Sequence, residues 1–414
     1  MTGPGVLAEL ADACGGDGAR PAEDADAVAG VPPSFVAQPS RAAEVAAVAK
    51  IARARDLALV VRGRGTKLDW GMAPDRLDLV LDLSKMDRLV EHTPGDLVAR
   101  VEAGMPLATV QEALAGARQW LPVEEVVPGS TIGGLLGTGI CGPARMANGT
   151  LADLLTGVSF VRADGVLARS GGKVVKNVAG YNLTRLLAGS FGTLGVVTDV
   201  TVRLRPLPER RRFVLASFEE PAALAAPLAA LLCSQLAISA LEIDRPEPDA
   251  PIGLAALVEG SAHGVAVRAE RAAKSMGTGR TAGDPPPGWG SLPGPTTIKL
   301  SCPIASLPAL VEVVAGLSKA HGCAAAVRGS AGVGVVFVGL DEELETGAVA
   351  SFLAALRDWV GAAGGSAVVL RAPGRVKAAF DLWGPVGGLE LMRRVKSQFD
   401  PELRLAPGRF VGGI

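Results

Sequence analysis

Histidine is scarce in this sequence. His92, His263 and His321 are the only three in 414 residues, far apart and in no ligand spacing, which leaves no imidazole set for a metal ion. Cysteine is equally thin: Cys14, Cys141, Cys233, Cys302 and Cys323 are odd in number and never in C-x-x-C spacing. Neither a disulfide framework nor an iron–sulfur or zinc site is indicated, and a reducing, cytoplasmic compartment is expected. Aromatic residues make up only 4%, the formal net charge is -1, and no block of basic residues is interleaved with aromatics. A nucleic-acid or anionic-membrane partner therefore has no electrostatic footprint. The longest uncharged stretch, Pro221 to Leu241, is broken by two prolines and by Ser234, Gln235 and Ser239, which argues against a membrane span. No basic region followed by an apolar core opens the chain, so no signal peptide is expected.

What is abundant is apolar surface and glycine. Apolar residues are 49% against 20% charged, and this length buries a sizeable core in two domains. Three glycine-rich loops stand out in the first half: Arg62-Gly63-Arg64-Gly65-Thr66-Lys67-Leu68, the run Gly129 to Gly139, and Gly189-Ser190-Phe191-Gly192-Thr193-Leu194-Gly195. A lone glycine triplet serves tight turns. Three such loops, each next to a strand-like or extended run, suggest one extended anionic ligand approached closely by backbone amides.

Taken in order, residues 1–30 read as a loose helix and a linker. Ser40 is placed to cap a helix whose Val45, Val48, Ala49 and Ala52 form one buried stripe. The strand Leu57 to Val61 then runs into the first loop. Because the helix precedes the strand and the spacing is not G-x-G-x-x-G, a Rossmann-type dinucleotide fold is disfavoured. Strands are expected at Leu79–Leu83 and Leu97–Val101, a helix between Pro106 and Ala117, and a hairpin turning at Ala163-Asp164-Gly165. Beyond Pro206 the pattern β-α-β-β-α recurs. Strands are expected at 213–218, 236–243, 253–259, 296–301, 323–329, 333–338 and 366–371, with helices at 221–233, 264–276, 306–320 and 343–361. Two such units suggest a pair of ferredoxin-like sheets with helices on one face.

The motifs RGRGTKL, GSTIGGLLGTGICGP, KVVKNVAGYNL, GSFGTLGVVTDVTVRLRP and FDPELRLAPGRF, in this order, resemble the FAD-binding domain of the vanillyl-alcohol oxidase type, also called the PCMH fold. More narrowly, they resemble the FAD-binding subunits of bacterial glycolate oxidase complexes. The resemblance implies an α+β protein: an N-terminal extension (1–30), an FAD-binding PCMH-type domain in two subdomains (31–206), a ferredoxin-like cap domain (207–380) and a C-terminal segment returning to the FAD domain (381–414). It implies non-covalent FAD, with Arg62, Gly63, Arg64, Gly65, Thr66, Lys67 and Leu68 at the pyrophosphate. Pro128, Gly129, Ser130, Thr131, Gly133, Gly134, Gly137, Gly139 and Gly142 would line the cofactor. Asn177, near Ala179 and Tyr181, would join Gly192, Thr193, Gly195, Val196 and Val197 at the flavin wall. The first loop has no histidine for a covalent flavin link, and Cys141 reads as a buried, inert thiol.

Departures from the family pattern bear on chemistry. Phe191 stands where catalytic relatives have an acidic residue, Ala406 where the tail has asparagine, and the paired cap histidines of those relatives are missing. The resemblance implies an oxidoreductase subunit that passes electrons from a 2-hydroxy acid such as glycolate, with a homologous catalytic flavin subunit and an iron–sulfur subunit as partners. No catalytic residue is assigned: Lys299, Arg328 and Arg371 lie near ends of expected strands, where a solvated charge is the commoner role. A self-sufficient dehydrogenase, a structural subunit without FAD and a cell-wall-precursor reductase stand as alternatives.

Overall fold

The computed structural model describes residues 4–173, 183–341 and 343–414. The chain divides into two compact units. One takes Met1–Cys141, Thr150–Leu207 and Pro385–Ile414; the other takes Gly142–Gly149 and Pro208–Gly384.

The first unit is built on two sheets. In the smaller, β1 (Ala19–Pro21), β2 (Phe35–Ala37), β3 (Leu59–Arg62) and β4 (Leu79–Asp82) lie in the order β1-β2-β4-β3. β4 runs parallel to both β2 and β3. β2, β3 and β4 are short and wholly apolar at their centres, as strands covered on both faces require. The helix Ala42–Ala54 lays Val45, Val48, Ala49 and Ala52 into that core beside Leu59, Leu79 and Leu81. Ser40 does not cap it. Arg41 precedes the helix, and the Ser40 amide and hydroxyl both donate to Glu44 Oε2 at 2.8 and 3.1 Å, so the expected cap contact runs through the first-turn carboxylate instead.

The larger sheet of this unit holds β5 (Leu89–Thr93), β6 (Val98–Glu102), β8 (Leu155–Val161), β9 (Leu167–Gly171) and β10 (Val196–Arg203), all antiparallel, in the order β5-β6-β10-β8-β9. A two-residue pair, β7 (Gln119–Trp120) with β11 (Arg205–Pro206), adds to it in sequence but not in sheet. The β8–β9 hairpin turns at Asp164-Gly165 as its turn chemistry demands, with Gly165 at φ 78°. The edge strand β5 carries no clean apolar alternation, which hides it from a pattern reading.

The second unit is one eight-stranded antiparallel sheet in the order β15-β12-β14-β13-β17-β18-β16-β19. Its strands are β12 (Arg210–Phe218), β13 (Ala240–Arg245), β14 (Ile252–Gly260), β15 (Arg280–Ala282), β16 (Thr296–Ser301), β17 (Ala325–Ser330), β18 (Val335–Leu340) and β19 (Ser366–Arg371). The two repeated units do not form separate sheets. β13 pairs with β17 from Glu242 opposite Ser330 to Arg245 opposite Val327, so each unit satisfies the edge the other would leave unpaired. Ile298, Leu300, Val336 and Val338 are completely buried on one face. The segment expected as a helix over 221–233 opens with a 3₁₀ turn and is α-helical over Ala225–Leu232. The following strand starts only at Ala240, after Ala237 has turned through φ 48°.

Candidate functional site

The first unit places its three glycine loops around one cleft. The first loop leaves the end of β3. Gly63 passes so close to the second loop that a Cβ there would sit 2.4 Å from Thr131 Oγ1, which is why glycine is required. Beyond it, none of the amides of Gly63, Arg64, Gly65, Thr66 and Lys67 donates to a backbone or side-chain acceptor among the described residues. Five consecutive unpaired donors at a cleft wall form a concavity suited to an anion.

Charge in this loop is distributed unevenly. The Arg62 guanidinium is held by Asp26 Oδ1 at 2.8 Å and Asp82 Oδ2 at 2.9 Å, so its charge is already compensated within the fold. Arg64 is exposed. Lys67 is buried at 8% exposure, and its Nζ donates to Ser130 Oγ at 2.6 Å and Thr66 Oγ1 at 3.0 Å. Both partners are neutral hydroxyls. Burial lowers the ammonium to about 8, with Glu125 and Asp69 opposing that shift.

The second loop starts the helix Ile132–Thr138, with Thr131 Oγ1 accepting from the Gly134 amide at 3.2 Å. Gly133 presses against Ala103, where a Cβ would come within 3.0 Å. A Cβ on Gly137 would meet nothing within 4 Å, so that face of the helix is open to the cleft. The third loop is tied to this helix through Gly189 N to Leu136 O at 2.8 Å and Phe191 N to Gly137 O at 2.9 Å. Gly192 turns at φ 76°, and Phe191 holds φ 54° without being glycine. Its ring stacks on Phe410 at 5.8 Å between centroids.

The C-terminal tail closes the wall. Leu405 bridges to Leu59 of β3, and the Ala406 amide donates to Leu59 O at 2.8 Å with Ala406 at φ 48°. Arg409 is buried, donates from Nη2 to Leu68 O at 2.9 Å and Trp70 O at 2.5 Å, and leaves its buried Nε without a hydrogen-bond partner. Burial lowers its guanidinium to about 10, offset in part by Asp69.

Of the residues expected at the cofactor, Arg62, Gly63, Arg64, Gly65, Thr66, Lys67, Leu68, Thr131, Gly133, Gly134, Gly137, Gly192, Gly195 and Val197 line this one cleft. Pro128, Gly129, Ser130, Gly139, Thr193 and Val196 do not line it. Ser130 stands behind the wall as the acceptor for Lys67, and Gly129 packs a possible Cβ position 3.5 Å from Thr66 Cγ2. Gly142 belongs to the second unit. Asn177, with Ala179 and Tyr181, lies outside the described residues. The cleft also takes in Val60, Val61, Leu83, Ala103, Thr138, Leu187, Ser190 and Arg409. The apolar ones read in sequence as ordinary core, whereas Thr138, Ser190 and Arg409 lie inside the glycine-loop and tail motifs.

Elsewhere, two of the three charges considered for a substrate carboxylate, Arg328 and Arg371, serve the second unit itself. Arg328 donates to Asp244 Oδ1 and Ser291 Oγ, each at 2.7 Å, and Arg371 to the carbonyls of Gly294 and Pro295. His92 Nε2 lies 2.9 Å from Gln119 Oε1.

The donor set fits FAD. Free amides, a buried ammonium bonded only to hydroxyls and a buried guanidinium with a spare N–H all await an anionic partner, and a glycine-walled helix face leaves room for a flat one. Comparison with known proteins agrees. Residues 33–171 match the family model for an FAD binding domain, and residues 253–410 match the one for the C-terminal domain of FAD linked oxidases. The glycolate oxidase subunit GlcD of Bacillus subtilis is 33% identical over 229 residues, 54% of this chain and 49% of that protein. The glycolate oxidase subunit GlcE of Escherichia coli is 37% identical over 152 residues, 36% of this chain and 43% of that protein. The matched stretches thus span about half or less of these relatives' own lengths. In solved structures, p-cresol methylhydroxylase shares the fold with a TM-score of 0.74 at 18% identity, over 98% of this chain and 96% of that one. With both its domain models matched in order and a cleft suited to the cofactor, the chain belongs to the FAD-linked oxidases and dehydrogenases and takes FAD as its cofactor.

Proposed function

We propose that this chain is the FAD-carrying subunit of a glycolate or related 2-hydroxy-acid oxidase or dehydrogenase complex. In this reading it works beside a homologous catalytic flavin subunit and an iron–sulfur subunit, in the cytoplasm or at the inner face of the membrane through those partners. No helix among the described residues is long and apolar enough to cross a membrane.

The observation that carries this reading is the composition of the cleft wall. Its titratable side chains are all cationic: Arg62, Arg64, Lys67 and Arg409. Phe191 stands in the cleft at the loop position where the family resemblance implies an acidic residue in catalytic relatives, and no carboxylate or imidazole lines the cleft among the described residues. Such a wall binds and orients an anionic cofactor but supplies no base for a substrate hydroxyl.

Bound FAD supplies a hydride and electron acceptor. The chain's own groups do the rest. The amides of Gly63 to Lys67 would hold the pyrophosphate, and Lys67 would place its third N–H and its charge on a phosphate oxygen. Arg409 would bring its free Nε–H to the same ligand from the tail side. Gly137 and Gly192 would let the backbone lie against the ring system, while Phe191 and Phe410 exclude water from one edge. The GlcD and GlcE relatives are subunits of glycolate oxidase, which supports glycolate as the substrate class and a multi-subunit setting.

The test is an anaerobic titration of the FAD-loaded chain with glycolate, alone and in the assembled complex. The proposal expects the 450 nm band to persist with the chain alone and to bleach within the complex. Bleaching of the isolated chain at a catalytic rate would instead assign it a self-sufficient active site.

A further inference from the structure

One buried ion pair in the first unit takes no part in the cleft as described so far. Lys396, on the helix Leu389–Phe399, is 2% exposed, and Asp400 is completely buried. The three N–H bonds of the ammonium are all used: Asp400 Oδ2 at 2.7 Å, Thr193 O at 2.9 Å and Leu405 O at 2.8 Å. Asp400 in turn accepts from the amides of Arg404 at 3.1 Å and Leu405 at 2.7 Å. The network is closed.

Neither carbonyl partner lines the cleft itself, but each sits in a segment that supplies lining residues. Thr193 follows Phe191 and Gly192 in the third glycine loop, and Leu405 precedes the tail that delivers Arg409. Leu405 also bridges to β3, the strand that feeds the first loop. One ammonium therefore ties the third loop to the tail across 203 residues of sequence, and the tail in turn bridges to β3. Each tie lies beside a strained residue: Phe191 at φ 54° is two residues from Thr193, and Ala406 at φ 48° is next to Leu405. Non-glycine residues stay in this region only where their surroundings over-determine them. A buried ion pair adds little net stability over an apolar pair of similar volume, so stability alone does not account for this one.

We infer that Lys396 and Asp400 are positioning residues for FAD, fixing the third glycine loop and the tail so that Phe191, Gly192 and Arg409 meet the cofactor in one geometry. The inference rests on the reading of the cleft as the FAD site.

The test uses the full chain with the double substitution Lys396→Met and Asp400→Leu. The apo variant is expected to keep its far-UV circular dichroism while its urea midpoint falls, because the carbonyls of Thr193 and Leu405 and the amides of Arg404 and Leu405 lose their side-chain partners. Its FAD dissociation constant is expected to rise at least tenfold, with an altered visible circular dichroism of the bound flavin. A merely structural anchor would also lower the urea midpoint but leave the affinity and spectrum of the folded protein unchanged, and that result overturns the inference. Should the double variant not fold, Asp400→Asn carries the test: weaker FAD binding by several-fold supports the inference, and wild-type affinity overturns it. A wild-type chain that takes up no FAD would strike the reading of the cleft itself, not the role of this pair.

Discussion

Replacing Lys67 by methionine should strengthen the empty protein and weaken its hold on FAD. In the apo fold the ammonium is buried, bonded only to Ser130 and Thr66, and lowered from 10.5 to about 8. A displacement of that size corresponds to roughly 3 kcal/mol of unfavourable burial at pH 7. Methionine has nearly the same length and removes that cost, against the loss of two hydrogen bonds worth about 1 kcal/mol each. The expected net gain is about 1 kcal/mol, read as a higher urea midpoint for Lys67→Met than for wild type. FAD binding should move the other way. A charge-assisted bond to phosphate contributes about 1.5–3 kcal/mol, so the dissociation constant should rise roughly 10- to 150-fold.

The pH dependence of this variant carries its own sign. Because the folded-state value lies below the unfolded one, the unfolded chain holds more protons between pH 8 and 10.5. Wild-type apo stability therefore gains from Lys67 as pH rises through that window, and the cost is fully present below it. The difference in stability between variant and wild type should therefore reverse between pH 7, where the variant is the more stable, and pH 10, where wild type is. Fluorescence-monitored urea unfolding and FAD titration measure both quantities on the same preparations. A Lys67→Met protein that is less stable when empty, with unchanged FAD affinity, would refute the assignment of this lysine to the anion.

Two further outcomes follow from the same geometry. Gly137→Leu places a side chain in open space at the cleft wall without strain on the backbone, so the variant should fold as wild type and lose FAD binding by at least 100-fold in fluorescence-quenching titrations. Asp26→Ala leaves the half-buried Arg62 with Asp82 alone and should cost about 3 kcal/mol in urea unfolding at pH 7. The Asp26 carboxyl is held far below its ordinary value first by Arg20 and further by Arg62, against the effect of burial. Its contribution is therefore present above the unfolded value near 3.8 and lost as pH falls below it, so the gap between Asp26→Ala and wild type should close on acidification.

The glycine loops were the most legible part of the chain, because close backbone approach leaves few alternatives to glycine. Gly63 against Thr131 and Gly133 against Ala103 show the contacts that demand it. The hairpin at Asp164-Gly165 was readable for the same reason, since its turn geometry selects those residues. Sequence could not show that Arg62 is neutralised by Asp26 and Asp82, because both carboxylates arrive from distant segments. Nor could it separate Lys67 from Arg64, which differ only in burial. The fusion of two β-α-β-β-α units into one sheet depends on the pairing of β13 with β17, a long-range register that no local pattern encodes. Lys396 was invisible for a similar reason: it lies on a helix whose other faces are largely exposed, and a lysine there reads as surface.

The account rests most directly on the cleft of the first unit holding FAD without a covalent bond, and the visible spectrum of the purified chain before and after acid precipitation tests it. The account predicts flavin bands near 370 and 450 nm that approach one FAD per chain and pass entirely into the supernatant. Flavin that stays with the precipitate would contradict the non-covalent assignment, and a colourless chain that takes up no added FAD would contradict the site itself.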